Sequence, residues 1–360
     1  MFIFSWLFPG RTLFLLYAAI MKIAESLYTD LRHRGLVGFL TSLSTVYPRV
    51  LRHLIVSFYE WGNKHFPFIW RLVDWFSLLA IDICRFFAGY FAARGLDRCR
   101  RPQKPLVLYE FEGCPFCRKV RETLSVLGLD CMIYPCPRET LEIAGYCKES
   151  RFRPVVKEAG GSLMFPYFED PNTGVKMYNS DEIIKYLWSE YGVHAEAPWN
   201  YSLAKIGIIE MLALPLTTFC RPMMWAGILR IPSEQPKKPL ELWGCEASGS
   251  TRRVREVLSS LEIPYLLHTT AVNSGKTVPS PLGTVGRWFS GTPVGVFLTL
   301  LSSYTAPAFS TVLKDPNTNV ELSGSSAIAQ YLQETYQKGS PPKETWLMYG
   351  AKTSAKPLTC

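Results

Sequence analysis

Between Phe66 and Arg94 the charged residues Arg71, Asp74, Asp82 and Arg85 recur at helical spacing. Almost everything between them is apolar, including Phe68, Ile69, Trp70, Leu72, Val73, Trp75, Phe76, Leu78, Leu79, Ile81, Ile83, Phe86 and Phe87. The pattern predicts one helix with a narrow polar stripe. Two environments fit it: burial against neighbouring helices, or a place in or on a membrane. Apolar runs at residues 12–21 and 211–220 fall short of the roughly twenty residues that cross a bilayer. The first ten residues are apolar without a positive start, so no cleavable signal peptide is read there, and a signal anchor stays open.

Further along, prolines and charges punctuate the chain twice. Residues 94–104 with Pro102 and Pro105, and residues 231–239 with Pro232, Pro236, Lys237, Lys238 and Pro239, each precede a strand-like start. The two starts are related. LVLYEFEGCPFCRKVRETLSVL, from Leu106, lies over LELWGCEASGSTRRVREVLSSL, from Leu240, with about ten of twenty-two positions identical. DPNTGVKMYNSDEIIKYL, from Asp170, lies over DPNTNVELSGSSAIAQYL, from Asp315, with about nine of eighteen identical. The second copy carries about eleven extra residues in its middle. Each copy reads as a strand, a loop and a helix bearing R-x-V-R-E, then an Asp-Pro-Asn-Thr turn, a short strand and a last helix opening at Ser180 or Ser325. With a further strand and helix between, this is the order of a thioredoxin-like mixed sheet flanked by helices.

Composition narrows the picture. A 360-residue chain that is 48% hydrophobic has a sizeable core and room for two or three domains. The net charge of +9 is concentrated in the first hundred residues, where roughly twelve Lys/Arg face roughly six Asp/Glu. Interleaved with Phe, Trp, Leu and Tyr, that excess points to an anionic membrane surface and away from nucleic acid. Ten cysteines without regular spacing in a chain this long imply free thiols in a reducing compartment, cytoplasmic or organellar.

Candidate chemistry sits at Gly113-Cys114-Pro115-Phe116-Cys117, where a strand hands over to a helix. Cys114 at a helix N-terminus has unpaired backbone N–H groups near its sulfur, which favours thiolate. Pro115 suits the first helical turn. Cys117 lies one turn on, placed to resolve a mixed disulfide formed at Cys114. Half of a zinc site is the alternative. It needs a second ligand pair, and Cys131 and Cys136, with Pro135 and Pro137 around them, fit a strand end better, so no metal is expected.

The strings YPCP, RFRPVV, FPYFEDPNTG, MYNSD and IIKYLWSEYG, behind a CPFC motif and ahead of a second start KPLELW, resemble the tandem glutathione-transferase N-terminal-domain proteins of plants, algae and related protists. The likeness is dense over residues 105–192, partial over 239–336 and nearly absent before. It implies glutathione as co-substrate, disulfide or glutathionylated proteins as partners, and allows a plastid location. It also implies that Pro166 is a cis-proline facing the active cysteine, with the backbone of Phe165 free to pair with the cysteinyl part of glutathione. Ser180 and Asp181 match the positions holding the γ-glutamyl end, where helix N-terminal amides suit a carboxylate; an ordinary N-cap is a compatible reading of Ser180. Residues 138–150 look like an insertion relative to the family. In the second copy Ser248-Gly249-Ser250-Thr251 occupies the C-x-x-C positions and Thr311 stands where Pro166 stood, so no thiol exchange is expected there. Residues 277–309 match no element.

The expected organisation is an apolar, basic, helical N-terminal region over 1–102, a glutaredoxin-like domain over 103–195, an apolar linker over 196–236, a degenerate second domain over 237–340 and a tail over 341–360. The leading function is a glutathione-linked thiol–disulfide oxidoreductase using Cys114 and Cys117. Two alternatives stay open: a membrane-associated, non-catalytic adaptor that binds a partner or glutathione, and a transferase or isomerase acting on a lipid-like substrate.

Overall fold

A computed structural model describes residues 65, 67–137, 150–219, 227, 230–276 and 311–338. The readings of residues 1–64, of 138–149 in the insertion, of 277–309 and of the tail lie outside them. The chain divides into two compact units, Met1–Trp70 and Arg71–Cys360. The first is described only at His65 and in the opening turn of helix α1 (Pro67–Cys84).

The second unit holds two sets of elements in the same order. The first is β1 (Leu106–Glu110), α2 (Pro115–Val126), β2 (Cys131–Pro135), α3 (Arg153–Gly160), β3 (Tyr167–Asp170), β4 (Val175–Tyr178) and α4 (Ser180–Tyr191). Helices α5 (Trp199–Ala204) and α6 (Gly207–Phe219) follow. The second set is β5 (Leu240–Gly244), α7 (Gly249–Ser260), β6 (Tyr265–Thr269), β7 (Val312–Asp315), β8 (Val320–Ser323) and α8 (Ser325–Tyr336). In each half the first strand runs parallel to the second and antiparallel to the third, with a closing hairpin. β1 and β5, bordered on both sides, send their leucines into the core: Leu106, Leu108, Leu240 and Leu242 are fully buried. This is a mixed sheet with flanking helices in the thioredoxin-like order.

The halves join edge to edge. β2 and β6 pair antiparallel, Cys131 with Leu267, Met132 with Leu266 and Ile133 with Tyr265, so eight strands form one sheet ordered β4-β3-β1-β2-β6-β5-β7-β8. Each copy thereby covers an edge that would otherwise present unpaired backbone groups.

The residues shared by both copies explain how the halves hold together. Glu112 and Glu246 occupy matching positions, as do Arg121 and Arg255, and the four close a buried ring of charge. Arg121 Nε lies 3.0 Å from Glu246 and its Nη2 3.2 Å from Glu112; Arg255 Nε lies 2.9 Å from Glu112 and its Nη2 3.1 Å from Glu246. Arg118–Glu122 and Arg252–Glu256 add matching pairs one helical turn apart, at 3.0 and 3.3 Å. R-x-V-R-E is thus the seam between the copies. The Asp-Pro-Asn-Thr turn is a second shared device. Asp170 accepts hydrogen bonds from the Asn172 N–H at 2.8 Å, Tyr186 Oη at 2.7 Å and Tyr191 Oη at 2.5 Å, while Asn172 ties the turn to the backbone of Lys104. Asp315, Asn317, Tyr331, Tyr336 and Lys238 repeat the arrangement.

The segments preceding each copy are packed into the same unit. Ser125 donates to the Gly89 carbonyl and Ser259 to the Gly227 carbonyl, both at 2.7 Å, and both glycines have positive φ. The helices ahead of them cross over. Asp74 of α1 pairs with Arg253 of the second copy at 2.5 Å, and Glu210 of α6 with Lys119 of the first at 3.3 Å. The helix expected between Phe66 and Arg94 ends at Cys84, with Phe86 and Phe87 at positive φ, and its polar stripe faces the protein: Asp74 and Asp82 of α1 and Arg85 just beyond it are buried, with Asp82 on Arg118 and Arg85 on Glu122. Among the described residues no helix is long and apolar enough to cross a membrane.

Candidate functional site

Cys114 is the N-cap of α2, in extended conformation, with Pro115 in the first turn. Its Sγ accepts a hydrogen bond from the Cys117 N–H at 3.4 Å. The hydrogen bond from the Cys117 thiol, with the backbone N–H groups of Cys117 and Phe116, holds the Cys114 thiol below its ordinary range, against burial and the nearby Glu110. Cys117 is fully buried, and burial together with its bond to Cys114 pushes its thiol well up. The pair is therefore unequal, with one sulfur poised to ionise and the other holding its proton. Cys114 is 5% exposed, while its neighbour Phe116 is 53% exposed and marks the side of the helix end that opens to solvent.

Phe165 packs against the cluster of Phe111, Cys114 and Cys117, its ring 6.1 Å edge-on from Phe111. The Phe165–Pro166 peptide bond is cis. Arg153, at the start of α3, lays its guanidinium 4.8 Å from the Phe165 ring centre and 6.0 Å from that of Phe111. It also donates to the carbonyls of Pro137 at 2.8 Å and Cys136 at 3.1 Å. Arg153 places a cation beside the thiol cluster, and the sequence reading assigned it no role. Its signal was local: an Arg-Pro pair opening a helix, within a string valued only as part of a resemblance.

Ser180 and Asp181 lie at the N-terminus of α4, which packs on α2. The N-cap there is Asn179, at φ 71°, whose side chain accepts from the Asp181 N–H; Ser180 is the first helical residue and is buried. The Asp181 carboxylate pairs with Lys119 of α2 at 2.5 Å. The structure thus gathers Cys114, Cys117 and Phe165 in one cluster, with Pro166 following. It ties Asp181 to the same helix through Lys119.

Behind the cysteines lies the charged seam. Burial raises the Glu110 carboxyl to about 7, against its partner Arg121. Glu112 instead drops to about 2, because Arg121, Arg255 and Arg252 outweigh its burial. Among the described residues Glu110 is in direct ion pairing with Arg121, which it shares, whereas Glu112 pairs with Arg121, Arg252 and Arg255.

The matching place in the second copy is a mesh of hydroxyls. Ser248 caps α7 through the Thr251 N–H, and Ser250 and Thr251 reach Thr311 at 3.0 and 2.8 Å. Cys245 upstream is buried, which pushes its thiol to about 12. Among the described residues no group of three or more His, Cys, Asp or Glu side chains could hold a metal ion.

Comparison with curated proteins and with solved structures finds no match. Residues 108–197, from within β1 to beyond α4, match the family model for the N-terminal domain of glutathione S-transferase, so the first copy is similar to that domain, in keeping with its thioredoxin-like order of elements.

Proposed function

We propose that the chain is a glutathione-linked thiol–disulfide oxidoreductase whose nucleophile is Cys114. The observation that carries this reading is the helix-capping Cys114 sulfur, lowered in pKa by hydrogen bonds and lying in one cluster with Cys117 and Phe165. The Cys114 thiolate attacks the glutathionyl sulfur of a mixed disulfide. The S–S bond breaks, the substrate leaves as a thiolate and takes a proton, and Cys114 is left joined to glutathione. A second glutathione thiolate attacks that glutathionyl sulfur, releasing Cys114 thiolate and oxidised glutathione. The two electrons that reduce the substrate disulfide come from the glutathione pair. The residues fit such a ligand: Arg153 supplies positive charge near the thiol, and the N-terminus of α4 with Ser180 suits a carboxylate. Every described cysteine is free, which agrees with a reducing compartment.

The test is reduction of a glutathionylated peptide by the full chain, since the β2 edge and the Glu112–Arg255 pairing tie the first copy to the second. Cys114→Ser is expected to lower turnover by about a hundredfold or more. Cys117→Ser is expected to cost less than about tenfold, because glutathione can resolve the intermediate. Turnover that survives Cys114→Ser, or is absent from the native chain, sinks the proposal.

A pH dependence accompanies it. Only the thiolate reacts, and the fold depresses its pKa, so reactivity is full above the folded value and fades as pH falls through it. Alkylation of Cys114 by iodoacetamide, followed by mass spectrometry, is expected to reach half its maximal rate below the free-cysteine value of about 8.5.

A second reading, a glutathione-binding adaptor without turnover, is favoured by the 5% exposure of Cys114. Calorimetric binding of glutathione by a chain inactive in the peptide assay would select it.

A further inference from the structure

Helices α1 and α6 are oriented against the usual rule for soluble proteins, by which a surface helix turns its charges to water. Asp74 and Asp82 of α1, and Arg85 just past its end, point inward to ion pairs, while Leu72, Val73, Phe76 and Ile83 of α1 point outward. On α6, Glu210 points inward to Lys119, and Ile208, Met211 and Leu212 point outward. These seven apolar side chains are 37% to 67% exposed. The two helices carry the same device: Leu72-x-Asp74-x-Phe76 and Ile208-x-Glu210-x-Leu212 each set an inward acid between outward apolar residues.

Helix α1 rests on α2 and α7, and α6 rests on α2. Asp82 and Asp74 of α1 reach Arg118 and Arg253, and Glu210 of α6 reaches Lys119. Arg85 links the two, meeting Glu122 at 2.7 Å and Glu210 at 4.0 Å. Since α2 and α7 already cover the sheet, α1 and α6 form a layer outside them with apolar sides turned away from the sheet. Buried ion pairs hold that orientation, so the helices cannot roll to hide these residues. Apolar side chains held outward in this way mark an interaction site.

We infer that α1 and α6 together form a face by which the chain lies on an anionic lipid surface. Neither helix is long and apolar enough to cross a membrane, and a helix with one apolar side lying flat suits the boundary between headgroups and acyl chains. Charge selects lipid over a second copy of the chain. The net charge is +9, and the sixty-four residues leading into α1 carry about seven Lys/Arg against about three Asp/Glu. An anionic bilayer attracts that charge, whereas a second copy repels it. The inference is independent of the thiol chemistry, so failure of one leaves the other standing.

The test is flotation of the full chain with vesicles of phosphatidylcholine alone or mixed with phosphatidylglycerol. The native chain is expected to float with the mixed vesicles, and the variant F76S/L212S/I208S/L72S to partition about tenfold less. Unchanged near-ultraviolet circular dichroism would establish that the variant is folded. Photoactivatable phosphatidylglycerol with the native chain supplies a readout free of any substitution: adducts are expected within residues 72–83 and 208–212. Flotation of the variant equal to native, adducts confined to residues 1–64, or a native dimer that the substitutions dissolve would each overturn the inference.

Discussion

Replacing Arg255 with methionine is expected to lower the stability of the chain by about 3–5 kcal/mol, seen as a fall in Tm of about 10 °C. Cys114 should lose its selective reactivity in the same transition. Arg255 belongs to the second copy, yet its guanidinium is buried between Glu112 of the first copy at 2.9 Å and Glu246 at 3.1 Å. A buried ion pair adds little net stability over a well-packed apolar pair, because desolvating two charges costs nearly what their attraction returns. Removing one partner is another matter, since the remaining charge stays buried. Methionine fills much of the volume and supplies no charge, which leaves Glu112 to Arg121 and the more distant Arg252, and Glu246 to Arg121 and the more distant Arg118. Glu112 lies two residues ahead of Cys114, so disorder at the seam reaches the nucleophile. The double variant Arg255→Met with Glu112→Leu removes the stranded charge and is expected to recover more than half of the loss. A single variant melting within about 1 °C of native would mean that the ring of charge does not form.

Asp170→Ala is expected to cost about 3–5 kcal/mol, because hydrogen bonds to a buried charged group contribute about 1.5–3 kcal/mol each and their donors lose their partner. Two tyrosine hydroxyls and the Asn172 N–H converge on this carboxylate, joining the β3–β4 turn to α4. Asp315→Ala should cost a similar amount, since the same donors converge there. Urea unfolding followed by circular dichroism measures both. The pH dependence has a definite sign. Burial opposes ionisation, but the hydroxyls of Tyr191 and Tyr186 and the groups of Asn172 outweigh it, so Asp170 lies below its ordinary range; Asp315 does too, through Tyr336, Asn317 and Tyr331. Their stabilisation is fully present above the unfolded value of about 3.9 and disappears as pH falls through the lower folded values. Acid unfolding below about pH 4 should therefore be less steep in either variant than in the native chain.

These two sites show how much the internal comparison of the chain with itself could reveal. Aligned against each other, the copies share Glu112, Arg118, Arg121 and Glu122 with Glu246, Arg252, Arg255 and Glu256, and Asp170 with Asp315. That identity was legible, and so was the replacement of Cys114 and Cys117 by Ser248 and Thr251. The reason for the identity was not. R-x-V-R-E reads as an ordinary solvated helix face, because nothing local says that its arginines meet glutamates from a distant copy. Charged residues that the two copies share, where the cysteines are not shared, here form an interface, and only pairing in space reveals it. Arg153 escaped for a related reason: its importance lies in the rings of Phe111 and Phe165, which come from other elements.

Sequence alone determined the elements and their order, the thioredoxin-like class of the sheet, and the placing of a C-x-x-C pair at a helix start in one copy only. Hydrophobic period, proline position and capping act over a few residues, so a linear chain records them. Tertiary structure decided which way each helix faces and what the copies do for one another. The stripe of Arg71, Asp74, Asp82 and Arg85 was visible as a period, but a period has no outside. Asp74, Asp82 and Arg85 turn inward because oppositely charged partners on α2 and α7 wait there, and the apolar side of α1 is left outward as a result. Likewise a further strand was expected in the middle of each copy, while the pairing of β2 with β6 into one eight-stranded sheet follows from two edges meeting, an event that no single segment encodes.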